Sequence, residues 1–70
     1  MRFLNGETPQ RPVCGDTVAD QQGVRYTVVE AVCDRYGILV AARRPRGRTV
    51  YLMRYHGSDQ QASRIASLNV

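Results

Sequence analysis

Four arginines lie within six positions near the middle of the chain: Arg43, Arg44, Arg46 and Arg48. Each guanidinium is a planar fork of N–H donors that can bind a phosphate or a carboxylate through two parallel hydrogen bonds. Strand-like sequence precedes this group from Ile38 and follows it to Arg54, so a β-hairpin turn is expected between the two runs. Pro45 would fix φ at the first turn position, and Gly47 would adopt a positive φ where the chain reverses.

The positive charge of the protein is concentrated in this segment. Residues 43–54 hold five arginines and no acid, a net charge of +5, whereas residues 1–42 hold four arginines against five acids. Charge confined to one segment indicates a contact site for an anionic partner. We expect that partner to be DNA or RNA, whose phosphates the arginines would neutralise. An acidic protein surface, and a solvated hairpin tip that discourages edge pairing, stay open as alternatives.

Aromatic side chains extend the predicted site beyond the arginines. Tyr51 and Tyr55 share a face of the strand that leaves the turn, and rings beside a basic loop are typical of surfaces on which single-stranded bases stack. Tyr36, in a predicted turn, would form a second patch with Arg35. We expect Tyr36 and Tyr55 to be exposed and Tyr26 to belong to the core. The predicted binding residues are Arg43, Arg44, Arg46, Gly47, Arg48, Arg54, Tyr36, Tyr51 and Tyr55.

Alternating apolar and polar residues predict strands in most of the chain. The strands are expected at residues 13–20, 24–34, 38–43 and 49–55. Strict alternation in the second of these would place Glu30 on the same face as Tyr26 and Val28, either at the rim of the core or opposite an arginine such as Arg54. The pattern predicts a mainly β fold, a small and strongly bent antiparallel barrel of four to five strands.

The end of the chain has a different pattern, which predicts a short helix. Ser58, with Gln61 three positions later, fits a helix capping box. Apolar residues follow at helical spacing: Ala62, Ile65, Ala66 and Leu68. We therefore expect a helix over residues 59–67, an extended arm over residues 1–12 and a single barrel domain over residues 13–70. A helix not packed on its own barrel would offer the contact for a homodimer, and the sequence leaves the oligomeric state open.

The remaining reactive residues predict no catalytic or metal chemistry. Cys14 and Cys33 are 19 positions apart, which matches neither a redox motif nor a zinc motif. We expect free, buried thiols, while a disulfide between them stays open. The spacing of the cysteines and His56 predicts no metal and no cofactor. No apolar run approaches the ~20 residues of a membrane-spanning helix, and no signal-peptide pattern is present, so a cytoplasmic location away from membranes is expected.

The first strands of the chain resemble the opening of Src-homology-3-like barrels of the KOW and Tudor kind. The resemblance lies in Gly15-Asp16-Thr17-Val18, in a turn that ends at Gly23, and in the β-branched strand that follows. It covers roughly residues 13–55 and implies a small antiparallel barrel. In length and layout the chain is also similar to uncharacterised small proteins of bacteriophages and mobile elements.

The tip of the hairpin is similar to another known motif. Pro45-Arg46-Gly47-Arg48 resembles the core of the AT-hook, which lies in the minor groove of A·T-rich DNA, although Thr49 stands where that motif has a proline. The predicted function is a small, non-enzymatic nucleic-acid-binding protein of a regulatory or accessory kind. The alternative is a phage-type interaction module or inhibitor that binds an acidic surface of a host protein. Type II dihydrofolate reductases are similar in length, but their Val-Gln-Ile-Tyr pore motif has no counterpart, and no enzymatic activity is expected.

Overall fold

One antiparallel sheet contains all the regular structure of the computed structural model, which describes residues 11–68. Its strands, adjacent in chain order, are β1 (Thr17–Ala19), β2 (Arg25–Asp34), β3 (Gly37–Arg43), β4 (Val50–Tyr55) and β5 (Ala62–Leu68). The sheet curls until Ala19 forms a parallel bridge with Gln61, and the Ala19 N–H donates to the Gln60 carbonyl at 3.1 Å. The fold is therefore mainly β, a curled half-barrel. Most of the predicted arm over residues 1–12 lies outside the described residues.

The inner face of the curled sheet holds the core. The predicted alternation of Ile38, Val40 and Ala42 in β3 is confirmed, because all three side chains are buried. Tyr26 and Met53 are the largest fully buried side chains, and the prediction that Tyr26 belongs to the core is confirmed. The buried apolar residues are Val18, Tyr26, Val28, Ile38, Val40, Ala42, Met53, Tyr55 and Ala62.

A β-bulge in β2 changes which residues face the core. Val28 pairs with Ala42 and Glu30 pairs with Ala41, so Val29 is an extra residue in the ladder. Beyond the bulge the alternation shifts by one position, and Ala31 packs against the core while Glu30 is exposed. The prediction that Glu30 shares a face with Tyr26 and Val28 is therefore wrong, because an extra residue reverses the facing of every position after it.

The predicted helix over residues 59–67 is wrong, since the chain forms β5 there. Ser58 does not cap a helix: its carbonyl accepts the Gln61 N–H at 2.8 Å, and both residues between them, Asp59 and Gln60, have a positive φ of 50° and 55°. This tight turn sends the chain back along β4. Strand pairing satisfies backbone groups of β4 that a helix would leave without partners, and it buries Ala62 opposite Tyr55.

The first strand is shorter than the predicted range of residues 13–20. Before β1 the chain makes a turn in which the Asp16 N–H donates to the Val13 carbonyl at 3.0 Å. The predicted turn after β1 is present, with Gly23 at a φ of +83°, a value that glycine adopts without strain. Because β1 has only three residues, its ladder with β2 ends at Thr27, and beyond it only the backbone groups of Gly15 and Asp16 bond to Val28.

The two cysteines are free, as expected, but the prediction that they are buried is wrong. Cys14 lies in the turn before β1, and Cys33 lies in the part of β2 that β1 does not reach. Both side chains are exposed.

Exposed thiols should react without unfolding of the protein. We expect both cysteines to react with a thiol-specific reagent such as dithionitrobenzoate at nearly the rate measured in urea. Cys14→Ser and Cys33→Ser variants would assign the two reactions. A reaction that waits for global unfolding would contradict the exposure of these side chains.

Met53 gives a test of the core. Met53→Ala removes a fully buried side chain opposite Val40, and we expect it to lower the free energy of unfolding by about 2–5 kcal/mol. Leu52→Ala is the matched control, because Leu52 is the neighbour in β4 and is only half-buried. Urea unfolding followed by circular dichroism measures both. Equal losses in the two variants would contradict the assignment of the inner face.

Candidate functional site

The arginine loop, defined as residues 43–48, begins at the end of β3 and leads into β4. The Gly47 N–H donates to the Arg44 carbonyl at 3.0 Å and closes a β-turn with Pro45 and Arg46 at its centre. Gly47 does not have a positive φ, so this part of the prediction is wrong. Glycine stands instead at the last position of a β-turn, where it is common in type I turns with proline at the second position.

The four arginines of this loop are exposed, and none of them forms a salt bridge with an acidic residue among residues 11–68. Arg43 ends β3, and the side chains of Arg44, Arg46 and Arg48 follow along the turn. Within residues 11–68 the structure shows one salt bridge, and it does not involve the loop. Four exposed guanidinium groups that follow one another along a short segment create a strongly positive local potential.

A chain of contacts leads from the loop to the inside of the half-barrel. Arg44 lies close enough to the Tyr26 hydroxyl to lower the pKa of Tyr26, whose ring lies edge-on to Tyr51 with 5.3 Å between the ring centroids. On β5, the Arg64 guanidinium lies over the Tyr51 ring, 5.3 Å from its centroid. These residues face inward because Arg44 continues the alternation of β3 and Arg64 pairs with buried Met53.

An opening, which we call the seam, separates β5 from the turn between β1 and β2. One of its clefts, about 210 Å³, is lined by Asp20, Gln21, Gln22, Ser63 and Arg64. The adjoining cleft, about 350 Å³, is lined by Tyr51, Arg64, Ile65, Ala66 and Ser67. Arg64 lines both clefts, and the seam therefore combines a cation with an aromatic ring.

The carboxylate of Asp20 is the buried centre of this region, with 7% of its surface exposed. One oxygen accepts the N–H groups of Gln22 and Val24 at 2.9 and 3.0 Å, and the other accepts the Tyr26 hydroxyl at 2.9 Å. Burial by itself would raise the pKa of Asp20, but these hydrogen bonds and the charge of Arg64 hold it below the ordinary 3.8. Burial is the largest cause that raises the pKa of Tyr26, and the hydrogen bond to Asp20 is the next.

The structure places two of the predicted site residues, Tyr36 and Arg54, at the other end of β3. Tyr36 is 72% exposed, as predicted, and has the guanidinium groups of Arg35 and Arg54 at 5.7 and 5.9 Å from its ring centroid. Arg54 is bound to Asp34 by a 2.7 Å salt bridge. The hydrogen bond from Arg54 is the largest cause that lowers the pKa of Asp34, and the hydrogen bond from the Tyr36 N–H is the next. β3 has seven residues, so this patch lies about 20 Å from the arginine loop.

Two further predictions about side chains are wrong. Tyr55 is buried, with 8% of its surface exposed, because β5 places Ala62 directly opposite it. The pairing of Glu30 with Arg54, one of the two alternatives for Glu30, does not form, because the bulge places Glu30 opposite Ala41 and Arg54 binds Asp34 instead. Tyr51 and Tyr55 do share a face, but only half-buried Tyr51 is accessible from the seam.

The predicted site thus divides into a loop with Tyr51 beside it and a separate patch around Tyr36. Sequence reasoning missed two contributors, Asp20 and Arg64. A signal existed for Asp20, since an aspartate three positions before a glycine commonly accepts backbone hydrogen bonds in a turn. For Arg64 the signal was hidden, since its inward position follows only from a strand that the sequence pattern did not predict.

Comparisons with known proteins provide no family for this fold or site. No family model matches the chain, and no curated protein or solved structure matches it. Among the residues that the structure describes, histidine, cysteine and acidic side chains form no group of three that could hold a metal ion. Residues 11–68 contain no helix that could span a membrane.

The pKa of Asp20 predicts a dependence of stability on acid. Because the pKa is lowered in the folded state, the stabilisation is present above about pH 4 and is lost as the pH falls through the folded-state pKa. We expect Asp20→Asn to be less stable than the parent at pH 7 and to approach it at low pH. Urea midpoints between pH 7 and pH 2 measure this, with the exposed Asp59→Asn as control. Parallel curves for parent and Asp20→Asn would contradict the prediction.

Proposed function

We propose that the protein binds nucleic acid through the phosphate backbone, with the arginine loop as its main contact. The observation that carries this proposal is that four exposed guanidinium groups lie in and beside one closed β-turn, with no ion-pair partner among residues 11–68. A nucleic-acid backbone offers anionic oxygens at regular spacing, and arginine binds such oxygens in pairs. The biological role would be regulatory or accessory, and no residue of this loop would carry out catalysis.

The charge pattern of the sequence supports the same proposal. Residues 43–54 carry no acid, so a polyanion that approaches the loop meets no repulsive group in the same segment. The AT-hook-like order of Pro45, Arg46, Gly47 and Arg48 agrees with a contact to a nucleic-acid backbone or a narrow groove. In the proposed complex the loop arginines release condensed counterions, and this release is the principal source of affinity.

Salt dependence of binding tests this function. We expect labelled duplexes and single strands of ~12 nucleotides to bind at about 50 mM salt and to weaken steeply towards about 200 mM. Arg46→Ala/Arg48→Ala should weaken binding to all sequences alike and reduce the slope of log K against log salt by about 1 to 2, because up to two phosphate contacts are lost. Fluorescence anisotropy measures both quantities.

Arg35→Ala is the matched control for the single loop variant Arg46→Ala, because each removes one arginine. It also removes an exposed arginine from a hairpin turn, but at the opposite end of β3. Binding of this variant should stay close to that of the parent. Failure of the parent to bind any nucleic acid at low salt, or an equal loss in Arg35→Ala, would overturn the proposed function.

A further inference from the structure

The seam continues the positive surface of the arginine loop and adds an aromatic face to it. Arg44 belongs to the loop and also contacts Tyr26, which packs on Tyr51 beneath Arg64. Each of the two tyrosines, whose rings meet edge to face, therefore has an arginine beside it. The exposed end of this cluster is the cleft of about 350 Å³ that Tyr51 and Arg64 share.

The Tyr51 ring is held in a fixed position before any ligand binds. Its neighbour Tyr26 is fully buried and meets it at an interplanar angle of 70°. The Tyr26 hydroxyl is bound in turn by the buried carboxylate of Asp20 at 2.9 Å. A ring that is already ordered loses little side-chain entropy when a ligand stacks on it, and this favours binding.

The position of Arg64 marks the face of Tyr51 that a planar group can cover. Its guanidinium, itself planar, lies 5.3 Å from the ring centroid, and its side chain is exposed. A nucleobase can take the place of a stacked guanidinium on an aromatic ring, because both present a flat π-system. Once displaced, the arginine remains beside the bound base, where it can pair with an adjacent phosphate.

We infer that the seam is a subsite for single-stranded nucleic acid, in which one base stacks on Tyr51 and the adjacent phosphates bind Arg64 and Arg44. The inference rests on the proposed function, since the arginine loop supplies most of the affinity. A base within a duplex is covered by its neighbours and reaches Tyr51 only after unpairing, so single strands are preferred. Stacking uses the π-face that every base has, so DNA and RNA strands of many sequences bind.

A tryptophan at the predicted stacking position gives a direct measurement. The sequence contains no tryptophan, so Tyr51→Trp introduces a unique fluorophore. Oligothymidine and oligouridine of ~12 nucleotides should quench its emission in a saturable manner, because a stacked base quenches indole fluorescence. Val32→Trp is the control at an exposed position on the opposite face of the sheet, beside Leu39 and Leu52, and its emission should stay nearly constant. Inorganic polyphosphate, which has no bases, should compete for the loop without quenching.

Affinity measurements on two further variants distinguish the contribution of the Tyr51 ring to binding from that of its hydroxyl. Tyr51→Leu should weaken single-strand binding about five- to 160-fold and leave duplex binding unchanged, since a stacked base contributes about 1–3 kcal/mol. Tyr51→Phe should retain single-strand binding because it keeps the ring. Circular dichroism and urea unfolding establish that each variant is folded, and the quenching experiment does not depend on Tyr51→Leu.

The outcomes distinguish this inference from the function on which it rests. Equal affinity for single strands and duplexes, together with no quenching in Tyr51→Trp, would overturn the subsite while leaving loop-mediated binding intact. Absence of all oligonucleotide binding at low salt would overturn both, as would binding of polyglutamate alone. Quenching in Tyr51→Trp that Arg46→Ala/Arg48→Ala weakens would support both.

Discussion

The buried carboxylate of Asp20 holds the turn between β1 and β2 against the hydroxyl of Tyr26, and the interior of the half-barrel is arranged around this contact. Removing a carboxylate from water is costly unless its oxygens find donors, and three hydrogen bonds meet that requirement here. Tyr26 fills the core and supports the ring of Tyr51. The hydrogen bond from Tyr26 to Asp20 therefore holds the Tyr26 ring against Tyr51, and Tyr51 is the ring over which Arg64 lies in the seam.

Antiparallel pairing separates charges that are close in the sequence. Arg54 is six positions from Arg48, yet β4 carries it to the opposite end of the sheet, where it binds Asp34. In the other direction, Arg64 lies far along the chain from Arg44 but shares a cluster with it through two tyrosines. A block of charge in the sequence is thus divided between two regions, and only the part on the loop remains available to an anionic partner.

Much of the architecture could be predicted from alternation, because a sheet with one buried face imposes a period of two on its strands. The inward residues of β3, the burial of Tyr26 and the turn at Gly23 were accessible in this way. The bulge at Val29 was not, since its position depends on pairing with β3. The local pattern of Ala62–Leu68 favours a helix, but pairing with the edge of β4 makes the segment a strand. The wrong exposure of Tyr55 and the missed role of Arg64 both follow from predicting a helix in place of β5.

The arginine loop contains no lysine, and neither does any other part of the sequence. A guanidinium group stays protonated throughout the physiological pH range, so the charge of this loop is constant. Acetylation, which neutralises lysine, has no lysine side chain on which to act. The charge of the loop therefore does not depend on lysine modification or on physiological changes of pH, and the loop behaves as a permanent cation.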